Sequence, residues 1–348
     1  MLRRLEPRSK LVAILAPSVV ILAVVLASVI TTTSVSNSMR AGRVNEATQV
    51  SMAFSALVHE LQKERDYTAG LLGSNKASSY GLMAIQREIV NQVVRTVTSD
   101  FSRLELDKYG PGLRSQLQKS SDHIRDLPKV REAVENDATT SVDDAVNRYT
   151  AIISTLIAAG QAITSETTDS ALTSNLHTLI ALSKAKETAA LQRSYVYGTL
   201  TAEQFRPRDL ERFPALSAAE STWLSLFNSS ATPAQLEVFL QTVSGPDVER
   251  VDALRGHLVA QADKKVVEIA AEDWLSLARA RLDMLRQVEL RLVADVLHTS
   301  AAGKAASDRR AVVTILVVLL ALLALYGPRR RHRRTPASPS ATWTPRPT

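Results

Sequence analysis

His59–Ser74 reads HELQKERDYTAGLLGS. It continues a pattern begun upstream, in which Val50, Phe54, Leu57, Leu61, Thr68 and Leu72 recur at helical spacing. One face of a long helix is therefore apolar, and the charged triplet Glu64-Arg65-Asp66 falls within it. With Leu57 as origin, Leu61, Thr68 and Leu72 lie within about 60° of one another, Glu64 at about −20°, and Arg65 at about 80°, on the flank of the stripe. Charge at such positions needs a partner, because desolvating a guanidinium costs several kcal/mol unless it is paired.

A second stretch, Ser183–Leu200, reads SKAKETAALQRSYVYGTL. Leu172, Leu176, Leu179 and Ala190 centre its apolar face, with Lys186 and Glu187 flanking and Arg193 about 60° to one side. A third helix starts near Trp274. Ala278, Leu285, Val288, Leu292 and Val296 share its stripe, and Arg281 lies at about −20°, near the middle of it. Arg279 and Arg286 fall beyond about 100° and are expected to be solvated. Two readings of these arginines stay open. They close salt bridges with Glu64, Asp66 and Glu187, or they converge on an anionic ligand.

The whole chain fits a helical protein. Its 348 residues suffice for one or two domains, Gly and Pro are few, and aromatics are 5%. The expected fold is all-α, two stacked up-and-down four-helix bundles flanked by two transmembrane helices. Expected helices cover 78–107, 113–127, 142–163, 172–200, 202–227 and 233–243. The segment from Pro246 to about Ala306, free of internal proline, is expected to be one very long helix. Bundle one spans about 45–163 and bundle two about 166–300.

Two apolar runs set the location. Leu11–Ile30 holds twenty uncharged residues after Arg3, Arg4, Arg8 and Lys10, which reads as a retained span, a cleaved secretory signal being the alternative. Ala311–Tyr326 is short for a span, but Arg310 and Arg329 bracket it and can snorkel. The chain therefore divides into a basic end at 1–10, a span at 11–33, an outer segment at 34–308, a span at 309–328 and a basic tail at 329–348. Of the net +7, the first ten residues carry +3 and residues 309–348 carry +8, leaving −4 between them. Basic flanks place both ends in the cytoplasm and the middle outside. The tail ends in TPASPSATWTPRPT, whose composition is that of a disordered segment.

Several function classes lack their residues. With no cysteine there is neither disulfide nor thiolate. His59, His123, His177, His257, His298 and His332 are scattered without metal-ligand spacing. Neither a Gly-rich phosphate loop nor a nucleophile elbow occurs, and the basic residues sit at membrane flanks without the interleaved aromatics of a nucleic-acid surface. No enzyme, cofactor or metal is expected.

The E-R segment at Glu64-Arg65, the Q-R segment at Gln192-Arg193 and the R-L-D-x-L stretch from Arg281 resemble the nitrate- and nitrite-sensing domain of bacterial membrane receptors. That resemblance implies an anion held between long helices by Arg65, Arg193 and Arg281. Nitrate is flat with three acceptor oxygens, and guanidinium forks supply planar paired donors. The implied partners are nitrate or nitrite, the membrane, a separate signalling protein such as a histidine kinase, and a second copy of the chain as a homodimer. Relatives commonly carry a transmitter after the last span, and the short tail here is too small for one. The alternatives are a receptor of the same fold with a changed ligand, and a scaffolding membrane protein. Two departures bear on the ligand: Gln192 stands where Glu is frequent, and Asp66 where Gly is frequent.

Overall fold

A computed structural model describes residues 7–74, 80–260 and 269–326. The basic end at 1–6 and the tail, including Arg329 to Arg334, lie outside the described residues, as do Ser78 and Ser79 at the start of the second expected helix. The described chain is all-α: α1 (Pro7–Gly73), α2 (Tyr80–Phe101), α3 (Pro111–Asn136), α4 (Val142–Ile163), α5 (Ser170–Thr201), α6 (Pro207–Ser230), α7 (Pro233–Thr242), α8 (Pro246–Ala260) and α9 (Ala271–Tyr326).

Helix starts follow from the sequence. Ser141 accepts from the Asp144 amide while the Asp144 carboxylate reaches back, and Thr232 and Gln235 repeat that box on α7. Asp169 caps α5 through the amides of Ala171 and Leu172, at 2.9 and 3.1 Å. Pro111, Pro207, Pro233 and Pro246 each open a helix, where a missing N–H costs little.

Two expectations need correction. The third helix does not stop before Pro128 but runs nine residues past Leu127 to Asn136. Leu127, Val130 and Val134 stay buried on one face, and their packing outweighs the hydrogen bond that proline removes. The long helix from Pro246 to Ala306 is divided: α8 is a separate helix packed on α6, and α9 begins only at Ala271, with Glu272 and Asp273 in its first turn. Acidic residues favour a helix N-terminus there, which a count of prolines cannot reveal.

Ser36–Asp308 forms one compact unit. Its interior holds two apolar clusters, and both draw residues from α1 to α6 and from α9. One runs from Val44 to Leu61 on α1 with Leu282 to Val296 on α9. The other runs from Tyr67 to Leu71 on α1 with Trp274 to Ala278 on α9. The core thus divides along the helix axes, and Glu64, Arg65 and Asp66 occupy the junction.

The remaining unit comprises the stretches up to Val35 and from Arg309. The N-terminal stretch carries a window of mean hydropathy 1.6 with none of it buried, long and apolar enough by composition to cross a membrane. Leu22, Val25, Leu26 and Val29 are exposed there, as are Leu316, Val317, Leu320 and Leu323 in the second run. Within this unit Ser34 donates to the Thr314 hydroxyl at 3.4 Å.

Candidate functional site

Arg65 is 0% exposed and Arg193 3%. Arg65 forks onto Glu187 of α5, NH1 to Oε1 at 2.6 Å and NH2 to Oε2 at 3.2 Å, and NH1 also donates to Thr150 of α4 at 2.8 Å. Its Nε donates to Ser194 at 3.2 Å. Gln62 fixes the other side of the carboxylate, donating to Glu187 Oε2 at 2.7 Å. Arg193 pairs with Asp66, whose other oxygen accepts from Ser194 at 2.5 Å. Ser194 therefore joins the two ion pairs into one network across α1 and α5.

Small residues let those helices meet. A Cβ on Gly70 would sit 2.1 Å from the Tyr197 ring, and one on Gly198 would sit 3.2 Å from the Ala69 carbonyl of α1. Without glycine at both places α1 and α5 could not close on the charged layer.

Arg279 completes the cluster. The sequence placed it in solvent, yet it is half-buried. It donates to the Tyr67 hydroxyl at 2.9 Å, with its guanidinium 5.2 Å from that ring and within electrostatic reach of Arg193. Arg286 is likewise half-buried, 2.5 Å from Ser55. Both expectations failed because α9 packs against α1 as well as α6, so its buried arc is wider than one apolar stripe. No local signal in the sequence marks Arg279.

The cluster mixes both signs of charge. Three guanidinium groups, Arg65, Arg193 and Arg279, meet two buried carboxylates, Asp66 and Glu187, with Glu272 and Asp283 at the cavity beside Arg279. The Nε groups of Arg193 and Arg279 are buried without an acceptor. Buried guanidinium N–H donors without an acceptor are able to bind an oxyanion. A cavity of about 260 Å³ beside Arg279, lined by Glu272, Leu275, Ser276, Ala280 and Asp283, gives an approach from solvent. Burial pushes the Asp66 carboxyl above its ordinary range, with Arg193, Ser194 and Arg65 opposing. Burial likewise lowers Arg193, against the support of Asp66.

Glu64, on the same turn, is used elsewhere. Arg131 of α3 forks onto it at 2.7 and 2.8 Å, and Tyr149 donates to it at 2.7 Å. That arrangement ties α1 to α3 and α4.

Arg281 is buried, as its place in the apolar stripe implied, at 6% exposure. The structure does not bring it to Arg65 and Arg193. Two residues from Arg279, it points to the other side of α9, where its NH1 lies 2.5 Å from Glu220 of α6. Arg255 of α8 approaches the same carboxylate at 2.9 Å. Arg281 and Arg255 thus form a second cluster, holding α6, α8 and α9 together. Among the described residues no group of His, Asp and Glu forms a metal-binding set.

Comparison with known proteins gives two matches. The family model for nitrate and nitrite sensing fits residues 56–297. The solved structure of the NasR transcription antiterminator superposes with a TM-score of 0.66 at 18% identity, covering 82% of this chain and 78% of its own, a likeness of fold. No curated protein matches the sequence. The matched span contains every residue of the charged layer, and the chain belongs to the nitrate and nitrite sensing family.

Proposed function

We propose that the chain is a membrane-anchored sensor whose segment 34–308 binds nitrate or nitrite outside the cell and signals to a separate transmitter. Arg193 and Arg279 bind the anion directly, and Arg65, locked by Glu187, supplies charge and shape. The observation that carries this reading is the pair of buried, unpartnered Nε–H groups of Arg193 and Arg279, within the span that the nitrate and nitrite sensing family model matches. Arg281, offered by its family-like stretch as a ligand residue, instead keeps the α6–α9 junction closed.

Exposed apolar side chains on both terminal runs support two spans, and the basic flanks support cytoplasmic ends. Signalling then passes along α9, which is continuous from Trp274 at the anion site to Tyr326. The recipient, such as a histidine kinase, is a separate chain, and a homodimer of this chain suits a receptor of this kind.

One observation favours a second reading. Asp66 and Glu187 already engage Arg193 and Arg65, so a receptor of this fold with an altered ligand, or a scaffold with none, has a self-contained interior. Calorimetry with millimolar nitrate and nitrite on folded, purified protein separates the two. Saturable heat that Arg279→Ala abolishes supports the sensor, and no heat from either anion leaves the altered receptor or scaffold.

A further inference from the structure

A polar cavity of about 490 Å³ is walled by Met39 and Arg43 of α1, Lys304 and Asp308 of α9, and Tyr109 just before α3. Its place in the sequence is distinctive. No charged residue occurs from Leu11 to Met39, and Arg40 and Arg43 are the first to follow. On α9 the order is mirrored, with Lys304 and Asp308 just before Arg309, Arg310 and the second apolar run. The two helices meet at this level. Ser38 donates to Asp308, and Lys304 passes Gly42, 3.8 Å from where a Cβ would stand. Ser38 is five residues beyond the expected span at 11–33, a rise of about 7.5 Å, which is about the depth of a lipid headgroup layer.

Some of the charge here is already paired, Lys108 with Glu105 at 2.7 Å and Lys304 with Asp308 at 3.4 Å. Three groups on the wall are left over. Half-buried Arg43 and exposed Glu46 form no ion pair. The buried Tyr109 hydroxyl makes no hydrogen bond, in a side chain only 4% exposed. Burial and the nearby Glu46 carboxylate push it up to about 12, so it stays a proton donor. A guanidinium and a phenol suit phosphate oxygens, and a carboxylate one helical turn away suits a primary ammonium. Met39, 61% exposed on the rim, adds an apolar contact.

We propose that this cavity binds the zwitterionic headgroup of an aminophospholipid in the outward-facing leaflet, its phosphate on Arg43 and Tyr109 and its primary ammonium on Glu46. The inference rests on the membrane-anchored reading above. Glu46 beside Arg43 disfavours a headgroup that carries phosphate alone, and the uncharged run ending at Met39 favours a lipid over a soluble ligand. The bound headgroup joins α1 to α9 at the end of the sensor through which a signal along α9 must pass.

The test uses full-length protein in a neutral maltoside detergent, with native mass spectrometry counting bound lipid. Phosphatidylethanolamine should saturate and bind about tenfold more tightly than two other lipids. Phosphatidylcholine has no ammonium proton for Glu46, and phosphatidylglycerol has no ammonium. Arg43→Gln should weaken phosphatidylethanolamine about tenfold and Tyr109→Phe about fivefold. The second variant removes a hydroxyl without a partner, so the fold is kept. Glu46→Gln should lose the preference over phosphatidylglycerol. Soluble phosphoethanolamine should bind far more weakly than the lipid, and equal affinity assigns the cavity to a soluble ligand and overturns the proposal. So does equal binding of the three lipids, or wild-type binding in both Arg43→Gln and Tyr109→Phe. Alkaline extraction of membranes tests the anchor separately. A chain released by alkali refutes the anchor itself, whereas a retained chain without lipid preference refutes the headgroup site alone.

Discussion

Lys186 and Glu187 are neighbours on α5 yet grip different helices. Glu187 accepts the fork of Arg65 on α1 at 2.6 and 3.2 Å, while Lys186 pairs with Glu289 on α9. A helix turns by about 100° per residue, so adjacent side chains necessarily face different neighbours. One peptide unit of α5 therefore lies between the arginine cluster and the helix leading towards the second apolar run.

Ligand binding should depend on Arg193 and Arg279 more than on Arg281. Loss of a charge-assisted hydrogen bond costs about 1.5–3 kcal/mol, so Arg193→Ala or Arg279→Ala should weaken nitrate or nitrite at least tenfold. Arg281→Ala should change affinity less than threefold while lowering stability, since it leaves buried Glu220 with Arg255 alone. Calorimetry paired with denaturant unfolding reads both quantities, and a large affinity loss in Arg281→Ala alone would reverse the assignment.

Arg65 should matter most to folding. Its removal leaves Glu187 buried with only Gln62 as a partner, and breaking a buried pair costs about 3–5 kcal/mol. Arg65→Ala should therefore destabilise strongly, and adding Glu187→Gln should recover a large part of the loss. Urea unfolding of the wild type, the two single variants and the double variant completes the cycle.

Acidity should strengthen anion binding. The folded-state pKa of Asp66 is raised by burial, so its protonated form is the one favoured on folding. Its contribution to stability is complete below the unfolded pKa and is lost as pH rises through the folded value. Protonation also frees Arg193 from its internal partner. Affinity should thus rise as pH falls through the raised pKa, and Asp66→Asn should bind tightly with a flat pH profile. Isothermal titration across pH, with Asp66→Asn as control, decides this. A wild-type affinity that falls on acidification is the contrary result.

Topology is accessible because the chain has no native cysteine. A single cysteine replacing exposed Ser99 on α2 should react with an impermeant maleimide in intact cells. One replacing Ser338 in the tail should react only after lysis. Labelling of Ser338→Cys in sealed cells would place the C-terminal end outside.

The local part of this protein was legible in the sequence. Periodic apolar residues identified nearly every helix, and the wheel around Trp274 placed Arg281 in the interior, where it is 6% exposed. Glu64 was likewise expected inside the α1 stripe and is fully buried. These features depend on residues within a few turns, where spacing alone fixes which side chains share a face. The family-like segments at Glu64-Arg65 and Gln192-Arg193 contain two arginines that the structure buries in one network through Ser194.

What only the tertiary structure decided is which charge meets which. Arg281 faces Glu220, 61 residues earlier, and Arg279, expected in solvent, reaches Tyr67 on α1. A periodicity records one buried face, whereas α9 touches α1, α5 and α6 at once and buries several. The break before Ala271 has the same origin, because α8 folds back on α6 through contacts between distant residues. Sequence spacing thus determined helices and buried faces. Long-range packing alone determined the pairing of charges, and with it which guanidinium N–H groups are left without an acceptor.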